Sequence, residues 1–192
     1  MRWDGIDAIR GLMKEPVERD VATRFWLHSS WVRQYERGLC SSSEFAQGVV
    51  REFNLDISPD EFLVIFDSWV PAPFPGAFDL IDSLAPHFTL ACLSNTNELH
   101  GRKIRHDFGF ESLLKPSYFS YELGLVKPDP SVFSYVIKDL ACAPREILFF
   151  DDTAECVVAA RESGLQAEQV QGVEGIREVL VTRGLAVGDQ GR

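Results

Sequence analysis

Little in this chain points outward to a membrane, a nucleic acid or a metal cage. No apolar run approaches the roughly 20 residues that span a bilayer, and the N-terminal stretch has no apolar core of a secretory leader. The four cysteines, Cys40, Cys92, Cys142 and Cys156, form no C-x-x-C pair, which argues against zinc ribbons and thioredoxin-like chemistry. Cys92 and Cys156 lie inside apolar segments and read as core thiols of a reducing, cytoplasmic setting. Basic residues are scarce: 19 Lys and Arg stand against 29 Asp and Glu, a formal net charge of −10. An acidic surface repels phosphate backbones and anionic lipid, so neither nucleic acid nor membrane is expected as a partner. Low-complexity tracts and internal repeats are also missing. What remains is an ordinary globular composition, 45% hydrophobic and 25% charged over 192 residues. That is enough for one domain, or for a core with a small insert. Nothing in it fixes an oligomeric state.

Two textures divide the chain. From Ile6 to about Trp69 the apolar spacing is helical. Ser41, Ser42 and Ser43 offer an N-cap ahead of Phe45, Val49, Val50 and Phe53. Ser58-Pro59-Asp60-Glu61 is a second helix start, with a cap, a proline in the first turn and acids that suit the dipole. Phe62, Ile65, Phe66 and Trp69 then mark its apolar face. Trp26, Trp31, Tyr35 and Phe45 are expected to pack between these helices. Pro71-Ala72-Pro73-Phe74-Pro75-Gly76 breaks the pattern and reads as a linker. Beyond it, the spacing predicts helices over Ala77–Leu84, Glu98–Asp107 and Ser131–Leu140. It also predicts strands over Phe88–Leu93, Ile147–Phe150 and Gln166–Val170, a helix ending at Ser163, and a last helix over Val173–Arg183. Strands alternating with helices predict an α/β fold with a doubly wound parallel sheet.

Three constellations carry chemistry. Ile147-Leu148-Phe149-Phe150 reads as a strand buried on both faces, and it ends abruptly in Asp151-Asp152. Ligands sit at strand ends in such sheets. Two adjacent carboxylates there repel unless a cation or a shared proton neutralises them, and Mg2+ suits such hard oxygen donors. The plainer alternative is that one aspartate caps the helix beginning near Ala154. Leu90-Ala91-Cys92-Leu93 likewise turns suddenly into Ser94-Asn95-Thr96-Asn97. Small polar residues after a strand can cradle a phosphoryl group, or simply cap a helix. In Gly124-Leu125-Val126-Lys127-Pro128-Asp129-Pro130 the lysine is framed by a glycine and two prolines, which restricts its backbone. A rigidly placed ammonium suits a carboxylate or phosphate at a fixed point.

In this order, strand-Ser-Asn, then Gly-x-x-Lys-Pro-Asp-Pro, then strand-Asp-Asp, the chain resembles the haloacid dehalogenase-like (HAD) hydrolase superfamily. The likeness runs from Trp3 to about Leu180. It is closest to the phosphatase-rich subfamily that carries an early α-helical cap. The resemblance implies a Rossmann-like parallel sheet with helices on both faces plus a small α-helical cap. It also implies a phosphorylated aspartate nucleophile, a catalytic Mg2+ and a small phosphorylated metabolite as substrate. Position by position, Ser94 would be the catalytic hydroxyl of the second motif, and Asn95 beside it would touch phosphoryl oxygens. Lys127 would stabilise the nucleophile and the developing charge, and Asp151 and Asp152 would hold the metal. Residues 1–72 fall where the cap belongs and 73–192 where the core belongs. Phe-Phe-Asp-Asp, rather than Ser-Asn-Asp, favours phosphate-ester hydrolysis over carbon–halogen cleavage.

One motif of the resemblance has no counterpart: the apolar strand ending in the nucleophilic aspartate. Asp4 and Asp7 follow no apolar strand, and Asp56 sits between two predicted cap helices. The expectation is a chain that lacks the first strand of the core and a functional protein longer at its N-terminus. The second reading is a non-catalytic relative that binds a phosphorylated ligand or a protein partner. A phospho-accepting receiver domain fits worse, because its acids lie near the N-terminus and it has no large helical insert. Trp26, His28, Trp31, Arg33 and Tyr35 are candidates either for the mouth of the site or for the cap core. His28 and His100 lack ligand-spaced partners and read as structural or solvated.

Overall fold

The computed structural model describes residues 5–70 and 72–185. In chain order, helices α1 (Gly5–Leu12), α2 (Arg19–His28), α3 (Ser30–Glu36), α4 (Ser42–Glu52), α5 (Pro59–Asp67) and α6 (Ala77–Leu84) precede strand β1 (Cys92–Ser94). Then come α7 (Glu98–Arg102), a π-helical turn over Lys103–Asp107, β2 (Ser117–Phe119), α8 (Ser120–Leu123) and α9 (Pro130–Leu140). Strand β3 (Leu148–Asp151), α10 (Ala154–Glu162), β4 (Gln166–Gln169) and α11 (Gly172–Thr182) complete the described chain. Two compact units result. One comprises Met1–Pro73, Asn95–Phe110 and Phe119–Gly124; the other comprises Phe74–Ser94, Glu111–Tyr118 and Leu125–Arg192.

The first unit is helical because its sequence starts helices well and gives each an apolar face. Ser41 and Glu44 close a capping box on α4, and Ser58 and Glu61 close another on α5. Each box satisfies backbone donors that helix N-termini otherwise leave unpaired. The helices bury one aromatic cluster. Phe66 lies 5.0 Å from Phe45, 5.6 Å from Phe62, 5.1 Å from Trp69 and 6.2 Å from both Trp26 and Tyr35, centroid to centroid. Phe45 stacks on Tyr35 at 4.2 Å. Trp26 and Tyr35 are therefore core residues, and Trp31 packs partly buried against the same cluster. His28 and Arg33 are exposed and contact each other at 3.0 Å. One residue breaks the apolar pattern: Glu36, the last residue of α3, has no hydrogen-bond or ion-pair partner among the described residues. Burial pushes its carboxyl up to about 7.

The second unit is α/β. β3 pairs in parallel with β4, Leu148 opposite Gln166 and Asp151 opposite Gln169. Alternation along β3 sends its side chains to opposite faces. Leu148 and Phe150 join a cluster with Leu80 and Leu84 of α6 and Val173 and Leu180 of α11. Phe149 meets Phe133 of α9 on the other face, edge-on at 5.7 Å. Helices thus cover both faces of this strand pair.

Three expectations need correction, and one strand was not expected. The strand predicted over Phe88–Leu93 is displaced toward the chain's C-terminus and shortened to Cys92–Ser94, with Phe88 exposed. β2 was not anticipated, since three residues are too few for an alternation signal. The helix predicted over Glu98–Asp107 is α-helical only to Arg102. β3 reads from sequence as buried on both faces, yet all four of its residues are only partly buried. The reason is topological. Among the described residues the sheet is two separate pairs, β1 with β2 and β3 with β4, so β3 has a neighbour on one edge only and lacks flanking cover on the other.

Candidate active site

β3 ends where its apolar residues give out, and there Lys127 meets Asp151. The Lys127 Nζ donates to Asp151 Oδ2 at 2.6 Å and to the Leu93 carbonyl at 3.1 Å. It also lies 5.4 Å from the centroid of the Phe149 ring, within cation–π range. One ammonium therefore ties the C-terminal end of β1 to that of β3, across the point where the described sheet divides. The pair is withdrawn from solvent, with side-chain exposures of 11% and 7%. Removing water strengthens the attraction between the two charges and makes either one costly to leave alone.

The second oxygen of Asp151 is also engaged. Its Oδ1 accepts the Thr153 backbone N–H at 2.8 Å, an Asx-type turn two residues on. Asp152 differs: its side chain is exposed and its Oδ1 is 3.4 Å from the Thr153 hydroxyl. Neither aspartate caps α10 through its side chain, and Thr153 occupies the N-cap position. Below them, Cys156 in the first turn of α10 is buried. Desolvation, with the Asp151 charge second, pushes its thiol up to about 11. It is a protonated core thiol, not a nucleophile.

Ser94 is the last residue of β1, directly after the carbonyl that Lys127 holds, and it belongs to the second unit. Asn95 opens a stretch of the first unit. Within that unit, Ser120 Oγ receives the Thr96 N–H and donates to the Thr96 carbonyl, both at 2.9 Å. Asn97 caps α7 by accepting the His100 N–H. His100 is buried and stacked on Phe66 at 4.3 Å, with Nε2 donating to the Phe66 carbonyl at 2.8 Å and Nδ1 facing the Asn97 amide. Burial pushes its pKa down, so the ring is neutral and structural.

The carboxylates weighed as nucleophiles are otherwise placed. Asp7 pairs with the partly buried Arg10 and the exposed Arg19, and Asp56 stands 3.8 Å from the exposed Lys14, all in the first unit. Asp4 lies outside the described residues. No group of three His, Cys, Asp or Glu residues poised to hold a metal occurs among the described residues. Asp151 and Asp152 do fit Mg2+ as two hard ligands at a strand end. Mg2+ usually takes one or two protein carboxylates and fills its remaining positions with water and phosphate oxygens. The Leu93 carbonyl, the Phe149 ring and the Thr153 N–H were not singled out from sequence. Only the Thr153 contact had a local signal, an aspartate two residues upstream.

The profile of the haloacid dehalogenase-like hydrolases matches residues 23–164. This chain belongs to that family. HAD membership makes it a hydrolase by family. A D-ribitol-5-phosphate phosphatase of Bacteroides thetaiotaomicron is 36% identical over 63 residues, 33% of this chain and 31% of that protein. The chain thus matches about a third of that relative's length. A phosphatase of Mycobacterium tuberculosis is 26% identical over 181 residues, 93% of this chain and 82% of the relative. In fold, the chain is similar to a HAD family enzyme of Bacteroides thetaiotaomicron crystallised with magnesium and inorganic phosphate. That likeness has a TM-score of 0.76 at 24% identity and covers 93% and 92% of the two chains. None of the described helices is long and apolar enough to cross a membrane.

Proposed function

We propose that this HAD hydrolase handles small phosphate monoesters, sugar or polyol phosphates, with Mg2+ at Asp151 and Asp152. The observation that carries the reading is the Lys127 ammonium held between the end of β1 and the Asp151 carboxylate. A cation fixed at a strand end costs no reorganisation when a phosphoryl group brings negative charge to it. Phosphatase relatives support the choice of ester. Lys127 binds a phosphoryl oxygen and offsets charge as the ester bond breaks. The Ser94 hydroxyl, with Asn95 following it, orients the remaining oxygens. Bound Mg2+ would act as a Lewis acid on the phosphoryl group. Residues 1–72 serve as the cap segment that selects the leaving group, and 73–192 serve as the core.

The attacking group is assigned to no described residue, since Asp7 and Asp56 are committed to surface ion pairs. That observation favours a second reading, a binder of phosphorylated ligands that releases no phosphate. One set of measurements separates them: phosphate release from p-nitrophenyl phosphate and a panel of sugar and polyol phosphates, with Mg2+ and with EDTA, alongside calorimetric binding of inorganic phosphate. Mg2+-dependent release that disappears in Lys127→Ala supports the first reading. Phosphate binding without release, again lost in Lys127→Ala, supports the second. Neither release nor binding would sink both.

A further inference from the structure

Gln169 is a residue that neither motif nor spacing marks. It lies opposite Asp151 in the parallel register of β3 and β4, and its Nε2 donates to the Asp152 carbonyl at 3.0 Å. The peptide unit that carries this carbonyl also carries the Thr153 N–H, and that N–H donates to Asp151 Oδ1 at 2.8 Å. A single peptide plane is therefore pinned at both ends, by Gln169 on its oxygen and by Asp151 on its nitrogen. Just before it, the Asp151 carbonyl accepts the Val170 N–H at 3.0 Å. The acidic turn is thus held by the end of β4 through one backbone and one side-chain donor.

We propose that Gln169 is a positioning residue, which orients the Asp152–Thr153 peptide and through it both carboxylates of the acidic pair. The hydrogen bonds run in one direction: Gln169 amide to Asp152 carbonyl, then Thr153 N–H to Asp151 Oδ1, with Asp151 Oδ2 left to Lys127. Donation to a peptide oxygen polarises the peptide and strengthens its N–H as a donor, so the two bonds reinforce each other. Asp151 has independent anchors in Lys127 and Val170. Among the described residues, Asp152 has only the pinned peptide and a 3.4 Å contact from the Thr153 hydroxyl, at the weak end of hydrogen-bond range. The direction of its exposed carboxylate therefore depends on Gln169. Partners that orient metal-binding groups in this way typically account for about 10–100-fold in metal affinity.

The inference rests on the Mg2+ assignment of the proposed function for its affinity readout only. Gln169→Leu keeps the bulk and removes the donor; Gln169→Asn keeps the amide but shortens its reach by one methylene. In the full chain, the Thr153 amide proton is followed by 1H–15N NMR without metal, and Mg2+ binding is followed by calorimetry in the presence of inorganic phosphate. The expected result is an upfield move of the Thr153 amide proton in both variants, with Mg2+ affinity weakened about 10-fold and the melting temperature nearly unchanged. A residue with a merely structural role would shift the melting temperature and leave the Thr153 resonance of the folded protein in place. An unmoved Thr153 amide overturns the proposal, as does Mg2+ affinity equal to the parent's. If the parent chain binds no Mg2+, the metal assignment fails while the Thr153 resonance still decides whether Gln169 steers the peptide.

Discussion

Glu36 gives the sharpest quantitative test of the helical unit. It ends α3, where the negative end of the helix dipole disfavours an anion, and no described group pairs with it. Burial raises its carboxyl from 4.5 to about 7 in the folded chain. Each pH unit of such a shift corresponds to about 1.4 kcal/mol, so holding Glu36 ionised costs the fold up to about 3 kcal/mol. The direction follows from proton counting. Below pH 4.5 both states hold the proton and there is no penalty. Between about 4.5 and 7 the folded state retains it while the unfolded state has lost it, so stability falls as pH rises. Above 7 the penalty is complete and constant. Glu36→Gln keeps the shape and a neutral polar head, so the variant should lack this loss and exceed the parent by about 2–3 kcal/mol at pH 8. The described tryptophans, Trp26, Trp31 and Trp69, belong to the helical unit. Tryptophan fluorescence in urea titrations from pH 4 to 8 therefore reports on it. The difference between parent and variant cancels the other titrating groups. Parallel stability curves across that range would refute the reasoning.

Two further outcomes follow from packing and from the ion pair. Phe66→Ala removes the ring at the centre of the aromatic cluster and should cost about 3–5 kcal/mol in urea unfolding read by the same fluorescence; a loss below 1 kcal/mol would mean that the cluster closes over the gap. Lys127→Met leaves the Asp151 carboxylate buried without its cation and should destabilise the second unit by about 3–5 kcal/mol, read by circular dichroism. Lys127→Met combined with Asp151→Leu should recover much of that loss, and no recovery would mean that Lys127 contributes mainly through the Leu93 carbonyl and the Phe149 ring.

Helix starts were legible because their causes are local. Ser58, Pro59 and Glu61 act on their own first turn, and the apolar spacing of Phe62 and Phe66 needs only the helical period. Asp151 and Asp152 stood out at an abrupt apolar-to-polar change after a strand, and Lys127 stood out by its frame of Gly124, Pro128 and Pro130, both local signals. β1 and β2 were poorly legible, because short strands are defined by their partners rather than by their own residues. The partial burial of β3 was misread for the same reason: Leu148, Phe149 and Phe150 show what a strand would bury, not what stands beside it.

By itself, the sequence determined the helical first region, the alternation of strands and helices after it, and the candidate residues Ser94, Asn95, Lys127, Asp151 and Asp152. Tertiary structure alone decided that Lys127 reaches both the Leu93 carbonyl and Asp151, that the Asp151 carboxylate is withdrawn from solvent while Asp152 is open to it, and that Gln169 holds the peptide between them and the next helix. The physical reason is range. Caps, periodicity and turns act within a few residues, whereas the partners of a strand end are set by register and by packing between segments tens of residues apart.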